Sequence, residues 1–385
     1  RFPDTVTLVT PANSFEGHPI LYLKISTTNF QDSRKPVIFI DGGIHAREWI
    51  SPPSVTWMIR KLTEDVTEPD LLENFDWILL PVVNPDGYKF TFTNRFWRKT
   101  RSTDTHSQSW LCPGVDGNRN YNFFWNTVGV SSNPCSDTYA GNVAFSEIET
   151  RVVRDIIHEH LHRMALYITM HSYGSMILYP WGHDGSLSHN AFALHTVGVD
   201  MATAIDAAAL VSFPNYIVGN AVLVLYYPTS GASEDWAHQE GVPLSYTYEL
   251  PGLGGGFDGF HLDPLFIEQV CRETWQGIVV GARRVKVDSR HANGLLDGTV
   301  ANNTSNILSE CFYRLKVLYR VRHYLSVKLR ANLCESLVLS KLNYADAVYS
   351  PLLLRRIERV IQRIQNACAR FCFDIPPRAH VTPIF

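Results

Sequence analysis

Gly42-Gly43-Ile44-His45-Ala46-Arg47-Glu48-Trp49 closes the apolar run Val37 to Ile40 and sets an imidazole and a carboxylate three residues apart. A run of β-branched and aromatic residues ended by Asp41, Gly42 and Gly43 predicts a buried strand stopping at a tight turn. His and Glu so spaced past a strand end can turn toward one point, an arrangement that suits a divalent zinc ion. Catalytic zinc sites commonly take three protein ligands and keep one position open for water, and His45, Glu48 and His171 supply that number. A further carboxylate must then accept the water's proton, and Glu249, closing the strand Leu244 to Leu250, is placed for a general base. A competing pattern, His158-Glu159-His160-Leu161-His162, satisfies the His-Glu-x-x-His signature of helical metalloproteases. There, however, Val153, Ile157, Leu161 and Met164 form the apolar stripe, and His158 and His162 fall on the polar one with Arg151 and Asp155. That cluster is expected at the surface.

The elements that must position these groups follow the chain. Strands are expected at Ile20 to Ile25, Lys35 to Asp41, Phe75 to Val83, Leu166 to Met170 and Leu244 to Leu250. Helices are expected at Pro52 to Leu62, with proline in the first turn, at Ser146 to Met164 with Ser146 and Glu149 as a capping box, at Ala191 to Val211 and at Pro264 to Val280. Asn84-Pro85-Asp86-Gly87 reads as a turn. Tyr88 to Ser146 is mostly irregular, and a loop region that long in a compact domain is usually functional. Strands alternating with helices predict an α/β fold with a mixed, largely parallel central sheet covered on both faces. Ligands gather at strand ends in such folds, where His45, Glu48, His171 and Glu249 are all expected.

In order and spacing, His45-Ala-Arg-Glu48-Trp, Trp97-Arg98-Lys-Thr-Arg101, Asp116-Gly-Asn118-Arg119-Asn120, His171-Ser-Tyr173, Tyr227-Pro, Asp235-Trp236 and Tyr248-Glu249-Leu250 resemble the zinc metallocarboxypeptidases of the pancreatic A/B type. The resemblance covers about residues 10–289. It implies an exopeptidase that removes C-terminal residues from peptides and proteins with one zinc ion held by His45, Glu48 and His171. Glu249 is then the base, and Arg101 looks like the residue that faces the peptide oxyanion. Asn118, Arg119 and Tyr227 match the group that binds the substrate's terminal carboxylate, which a guanidinium grips bidentately. Arg47, Arg98, Tyr173 and Phe260 match the outer subsites. Glu234 falls where the A type carries an apolar residue and the B type an aspartate, so a preference for C-terminal Lys or Arg is expected. Val222, where the B type has a small residue, and Ala232, in place of a glycine, predict a narrower pocket. The alternatives are an A-like or mixed specificity, with Glu234 turned aside, or an inactive peptide-binding member of the family.

The 385 residues carry a net charge of -3, with 45% apolar and 18% charged side chains, ordinary for a soluble protein with a sizeable core. Residues 1–290 balance to -10 and residues 291–385 to +7, which suggests segments of different origin. The expected organisation is a catalytic domain over 1–289, a polar linker over 290–308 and a basic helical tail over 309–385. The start, Arg-Phe-Pro-Asp, reads as a processed or truncated form without a pro-segment. Of the seven cysteines, Cys112 and Cys135 lie in a Gly/Asn/Ser/Pro-rich region and fit a disulfide in a secreted protein, and the family resemblance points the same way. No stretch is apolar and long enough to span a membrane, and a working monomer is expected.

The glycine run Gly252 to Gly256 lacks the Gly-Lys-Ser/Thr ending of a phosphate loop and reads as a mobile rim. Asn302-Asn303-Thr304-Ser305 holds two overlapping glycosylation sequons. Beyond them Val360, Ile361, Ile364, Cys368 and Phe371 recur at helical spacing. Leu318 to Leu325, Leu333 to Tyr344 and Ile364 to Phe371 resemble the region after the catalytic core of reverse transcriptases from non-long-terminal-repeat retrotransposons. No polymerase motif accompanies them, so the tail reads as a transposon remnant, and nothing outside it suggests nucleic-acid binding.

Overall fold

The computed structural model describes residues 2–104, 106–188 and 190–293, together with 311, 315, 322, 326–334, 338, 367, 368 and 370–372. They fall into two compact units, one of Arg1–Ser188 with Leu194–Lys286 and one of His189–Ala193 with Val287–Phe385.

The first unit is built on eight strands: β1 (Val6–Asn13), β2 (Pro19–Ile25), β3 (Val37–Gly42), β4 (Asp76–Leu80), β5 (Met164–Ser172), β6 (Met176–Tyr179), β7 (Ile217–Asn220) and β8 (Leu244–Leu250). They form one sheet in the order β1-β2-β4-β3-β5-β8-β6-β7. The centre, β4-β3-β5-β8, is parallel, and β1, β2 and β6 join antiparallel. The expected mixed, largely parallel sheet is therefore present. β3 and β4 are buried throughout and β5 and β8 at all but one position each, which is why they read as continuous apolar runs rather than alternating ones.

The helices are α1 (Ser51–Thr63), α2 (Pro69–Asn74), α3 (Pro85–Phe90), α4 (Ile148–His160), α5 (Ala191–Ala208), α6 (Ala221–Leu225), α7 (Ser233–Glu240) and α8 (Ile267–Asn293). On one face, the Tyr246 hydroxyl donates to the carbonyl of Leu194 in α5, and Gly277 and Gly281 of α8 sit against Ile205 and Met201. On the other, Phe39 and Tyr167 share a core with Val152, Val153 and Ile156 of α4 and Trp236 of α7. The period of two along each strand thus sends Asp41, Thr169, His171, Thr247 and Glu249 to the α4/α7 side.

Several boundaries differ from expectation for local reasons. Asn84-Pro85-Asp86-Gly87 opens helix α3 instead of making a turn, because the Asn84 side chain accepts the Gly87 N–H and proline fits the first helical position. The capping box is absent: α4 starts at Ile148, Ser146 donates to Glu147 Oε1 at 2.8 Å, and Glu149 is buried. β5 runs through His171 instead of ending before it. α8 starts at Ile267 and extends to Asn293, past the expected helix end at Val280. In the second unit, α9 (Val327–Cys334) and the buried Cys368 and Phe371 are described, whereas the sequons, Val360, Ile361 and Ile364 lie outside the described residues. No described helix is long and apolar enough to cross a membrane.

Candidate active site

The turn after β3 is fixed before any ligand is considered. Gly43 has φ +71°, where an added Cβ would press on Pro52, and its N–H donates to Ser51 Oγ at 3.1 Å. Ser51 Oγ in turn donates to the carbonyl of Glu48 at 3.0 Å. These bonds fold His45-Ala-Arg-Glu48 back over the end of the sheet. His45 and Glu48 there meet His171 from the neighbouring strand β5.

All three are buried, and their ligand atoms lie within 4.8 Å of one another. Glu48 Oε1 is 2.8 Å from His45 Nδ1, Glu48 Oε2 is 3.0 Å from His171 Nδ1, and the two Nδ1 atoms are 3.1 Å apart. His45 Nε2 faces Asp116 Oδ1 at 2.9 Å. A carboxylate only accepts, so both ring nitrogens face acceptors; with a cation among Nδ1 of His45, Nδ1 of His171 and Glu48, the His45 proton sits on Nε2 against Asp116 and the Nδ1 lone pair turns inward. Two imidazole nitrogens and a carboxylate crowded on one point repel unless a cation lies between them, and two nitrogens with an oxygen are a donor set that zinc takes. The residues present therefore fit one zinc ion. Burial opposes charge on Glu48, but His45 and His171 hold its carboxyl well below the usual range. Burial opposes charge on His171 as well, and Glu48 pushes it up to about 9. Burial and Arg98 lower His45.

The ligands open onto a cleft of about 270 Å³. Glu249 lines it from β8 as the register partner of His171, one residue from the end of the strand as expected. Burial, and then the neighbouring Glu48, push its carboxyl up to about 8. Asn118 and Arg119 stand in a single 3-10 turn headed by Asp116. Asn118 Oδ1 accepts the Ser233 N–H at 2.9 Å, which leaves its amide NH₂ for the cleft. Arg119 is anchored through Nη1 to the Asn118 carbonyl at 2.8 Å and through Nε to the Gly129 carbonyl at 3.2 Å. Tyr227 is half exposed at the rim. Arg47, Tyr173 and Phe260 line the outer part, with the Arg47 guanidinium 4.8 Å over the Phe260 ring.

The two arginines of Trp97-Arg98-Lys-Thr-Arg101 are placed differently from expectation. Arg98 lines the cleft, with Nη2 2.9 Å from Asp116 Oδ2 and Nη1 3.8 Å from Glu48 Oε1. Arg101 points away. Its guanidinium stacks 3.8 Å over Phe90 and 4.7 Å over Trp97, and faces Glu16 at 3.5 Å. Asp116, which joins His45, Arg98 and the Asn118 N–H, had no assigned role in the sequence; the Asp-Gly step just before Asn118 is the signal that could have found it.

At the inner end the cleft is walled by Met176, Leu178, Ala221, Leu225, Thr229 and Thr247, with Glu234 among them. Glu234 is 4% exposed; its Oε2 makes no hydrogen bond of normal geometry, and the Thr247 hydroxyl is the polar group beside it. Burial, then the adjacent Asp235, push it up to about 7. Asp235 itself is engaged by the Gly182 N–H at 2.8 Å. Val222 and Ala232, expected to narrow the pocket, are not among the residues lining the cleft: Asn220 caps α6, Ala221 faces the cleft, Val222 lies beside Gly185, and Ala232 is the buried N-cap of α7.

Cys112 and Cys135 form a disulfide with Cα atoms 4.8 Å apart. Both histidines of the His-Glu-x-x-His pattern are exposed, as expected: His158 pairs with Glu240 at 3.1 Å and His162 faces solvent, while His160 between them is buried beside Phe30. Gly256–Phe260 is a 3-10 turn beside the cleft mouth, as a rim loop requires.

The family described as zinc carboxypeptidase matches residues 1–277. A carboxypeptidase B of Helicoverpa zea is 73% identical over 285 residues, which is 74% of this chain and 66% of that protein. A bovine carboxypeptidase B is 39% identical over 281 residues, 72% of this chain and 64% of that protein. The chain thus spans about two thirds of the length of these relatives. The crystal structure of a carboxypeptidase A from Helicoverpa armigera superposes with a TM-score of 0.71 at 53% identity, covering 74% of this chain and 69% of that one.

Proposed function

Because the chain belongs to the zinc carboxypeptidase family, we propose that it hydrolyses the last peptide bond of peptides and proteins and prefers Lys or Arg as the residue released. The observation that carries the preference is Glu234, a buried carboxylate at the closed end of the cleft whose Oε2 makes no hydrogen bond of normal geometry. An ammonium or guanidinium supplies a charged partner, whereas an aromatic side chain would leave the carboxylate unpaired out of water.

Arg119, with the Asn118 amide and Tyr227, holds the substrate's terminal carboxylate, and this sets the scissile carbonyl beside His45, Glu48 and His171. Zinc, when bound there, polarises that carbonyl and acidifies a water. Glu249 takes the proton from the attacking water as the C–O bond forms, then delivers it to the leaving nitrogen as the C–N bond breaks. Arg98, fixed by Asp116, faces the charge that develops on the carbonyl oxygen. It takes the role first expected of Arg101. Arg47, Tyr173 and Phe260 receive the preceding residues of the peptide. Every role has a residue, which argues against an inactive peptide-binding member. The cleft is complete within one chain, which supports a working monomer, and the disulfide supports secretion.

An A-like preference draws on the apolar wall of Met176, Leu178 and Leu225. The test is release of arginine against phenylalanine from matched blocked dipeptides by the full chain, with and without a zinc chelator. Chelator-sensitive release favouring arginine is expected. Release favouring phenylalanine would keep the mechanism and sink the pocket assignment.

A further inference from the structure

Asp41 is a buried carboxylate that none of the steps above uses. It is the last residue but one of β3, and the register pairs it with Thr169 of β5. Its Oδ1 accepts the Thr169 hydroxyl at 2.8 Å and its Oδ2 accepts the Tyr167 hydroxyl at 2.7 Å. Thr169 Oγ1 lies 3.2 Å from His171 Nε2. Asp41, Tyr167, Thr169 and His171 are each at most 1% exposed.

A hydroxyl carries one proton. That of Thr169 is committed to Asp41, so toward His171 the oxygen can only accept. When Nδ1 gives its lone pair to a cation held with Glu48 and His45, His171 must therefore carry its one proton on Nε2, donated toward Thr169 Oγ1. The carboxylate acts at one remove, since the hydroxyl transmits its demand for a proton to the ring. On His45 the same end is reached by direct contact with Asp116.

We propose that Asp41, acting through Thr169, is a positioning residue that fixes the tautomer and ring orientation of His171 as a metal ligand. This rests on the zinc reading of the site. Partners behind metal-bound imidazoles raise ligand basicity, and their loss typically costs roughly tenfold to a hundredfold in metal affinity.

The experiment measures the zinc dissociation constant by chelator competition, on the full chain, for the wild type, Thr169→Val and Thr169→Ser, with the thermal midpoint of each zinc-free protein alongside. Thr169→Val keeps the shape and removes the hydroxyl, and is expected to weaken zinc by roughly tenfold to a hundredfold. Thr169→Ser restores the wild-type affinity. A purely structural role would lower the zinc-free midpoint of Thr169→Val and leave the affinity unchanged, and that result overturns the proposal. Should Thr169→Val not fold, nitrogen NMR of the zinc-loaded wild type decides: a slowly exchanging His171 Nε2–H supports the relay, and one exchanging like a solvent-exposed imidazole overturns it. A wild type that binds no zinc would overturn the metal reading itself, an outcome distinct from equal affinity in the two proteins.

Discussion

Glu249 and His171 are register partners on the adjacent parallel strands β8 and β5. A ladder of main-chain hydrogen bonds, not a loop, therefore sets the spacing between the base and the third ligand. Both side chains leave the sheet on the α4/α7 side, so the proton acceptor stands beside the metal-binding residues without competing for their place. Removing only the charge should separate the two functions. Glu249→Gln is expected to retain zinc at the wild-type ratio, measured by elemental analysis, while turnover of a blocked dipeptide falls by about 10²- to 10⁴-fold. Loss of zinc in step with activity would instead make Glu249 a part of the metal centre.

Glu234 permits a test of specificity with the catalytic groups untouched. Replacing it with glutamine keeps the volume and removes the charge that would answer Lys or Arg. A buried, hydrogen-bonded charge pair that loses one partner costs roughly 2–5 kcal/mol, so kcat/KM for arginine release should fall by about thirtyfold to a few thousandfold. Release of phenylalanine should hold or rise. An equal fall for both substrates would show that Glu234 supports the fold of the cleft rather than reading the side chain.

The central strands were legible because burial on both faces leaves continuous apolar runs, as in Val37 to Ile40 and Leu166 to Met170. β1, β6 and β7 were not. β1 is a half-exposed edge strand with Pro11 and a register shift between Val9 and Ala12, and β6 and β7 are four residues each, too short for a period to show. The metal ligands were legible because they sit at strand ends, where position along the chain and position in space agree. Arg98 and Arg101 lie in an irregular stretch without a repeat. Which of them faces the cleft is decided by long-range bonds such as the Ala46 N–H to the Arg98 carbonyl at 3.1 Å and the Thr100 N–H to the Val115 carbonyl at 3.0 Å. Ala221 and Val222 differ likewise by a rotation that the Asn220 cap sets, and Asp41 looked like any strand-ending aspartate.

The two arginines give the third prediction. Arg98→Ala removes a fixed cation from beside the scissile carbonyl and should lower kcat by about 10²- to 10³-fold; it also leaves the buried Asp116 without its partner, so the thermal midpoint should fall as well. Arg101→Ala removes only stacking on Phe90 and Trp97 and the contact with Glu16, worth roughly 0.5–2 kcal/mol. It should lower the midpoint and leave kcat near the wild type. The reverse pattern would return the oxyanion role to Arg101.

A pH dependence of stability follows from a carboxyl remote from the cleft. Glu149 is buried in the first turn of α4, and its Oε1 has no hydrogen-bond partner. Its neighbour Glu147 is satisfied by the hydroxyls of Thr100 and Ser102 at 2.6 and 2.7 Å. Burial, and then the charge on Glu147, push Glu149 up to about 8 from an ordinary value of 4.5. Between those two values the folded chain holds a proton that the unfolded chain has released, so stability falls as pH rises through the window and the full penalty is present above it. Glu149→Gln cannot ionise and escapes that penalty, which is on the order of a few kcal/mol at most. Thermal midpoints of the two proteins measured from pH 5 to 9 should therefore diverge in favour of the variant as pH rises, and the gap should level off near pH 8. A gap independent of pH would mean that Glu149 keeps its charge in the folded protein through a partner supplied by solvent.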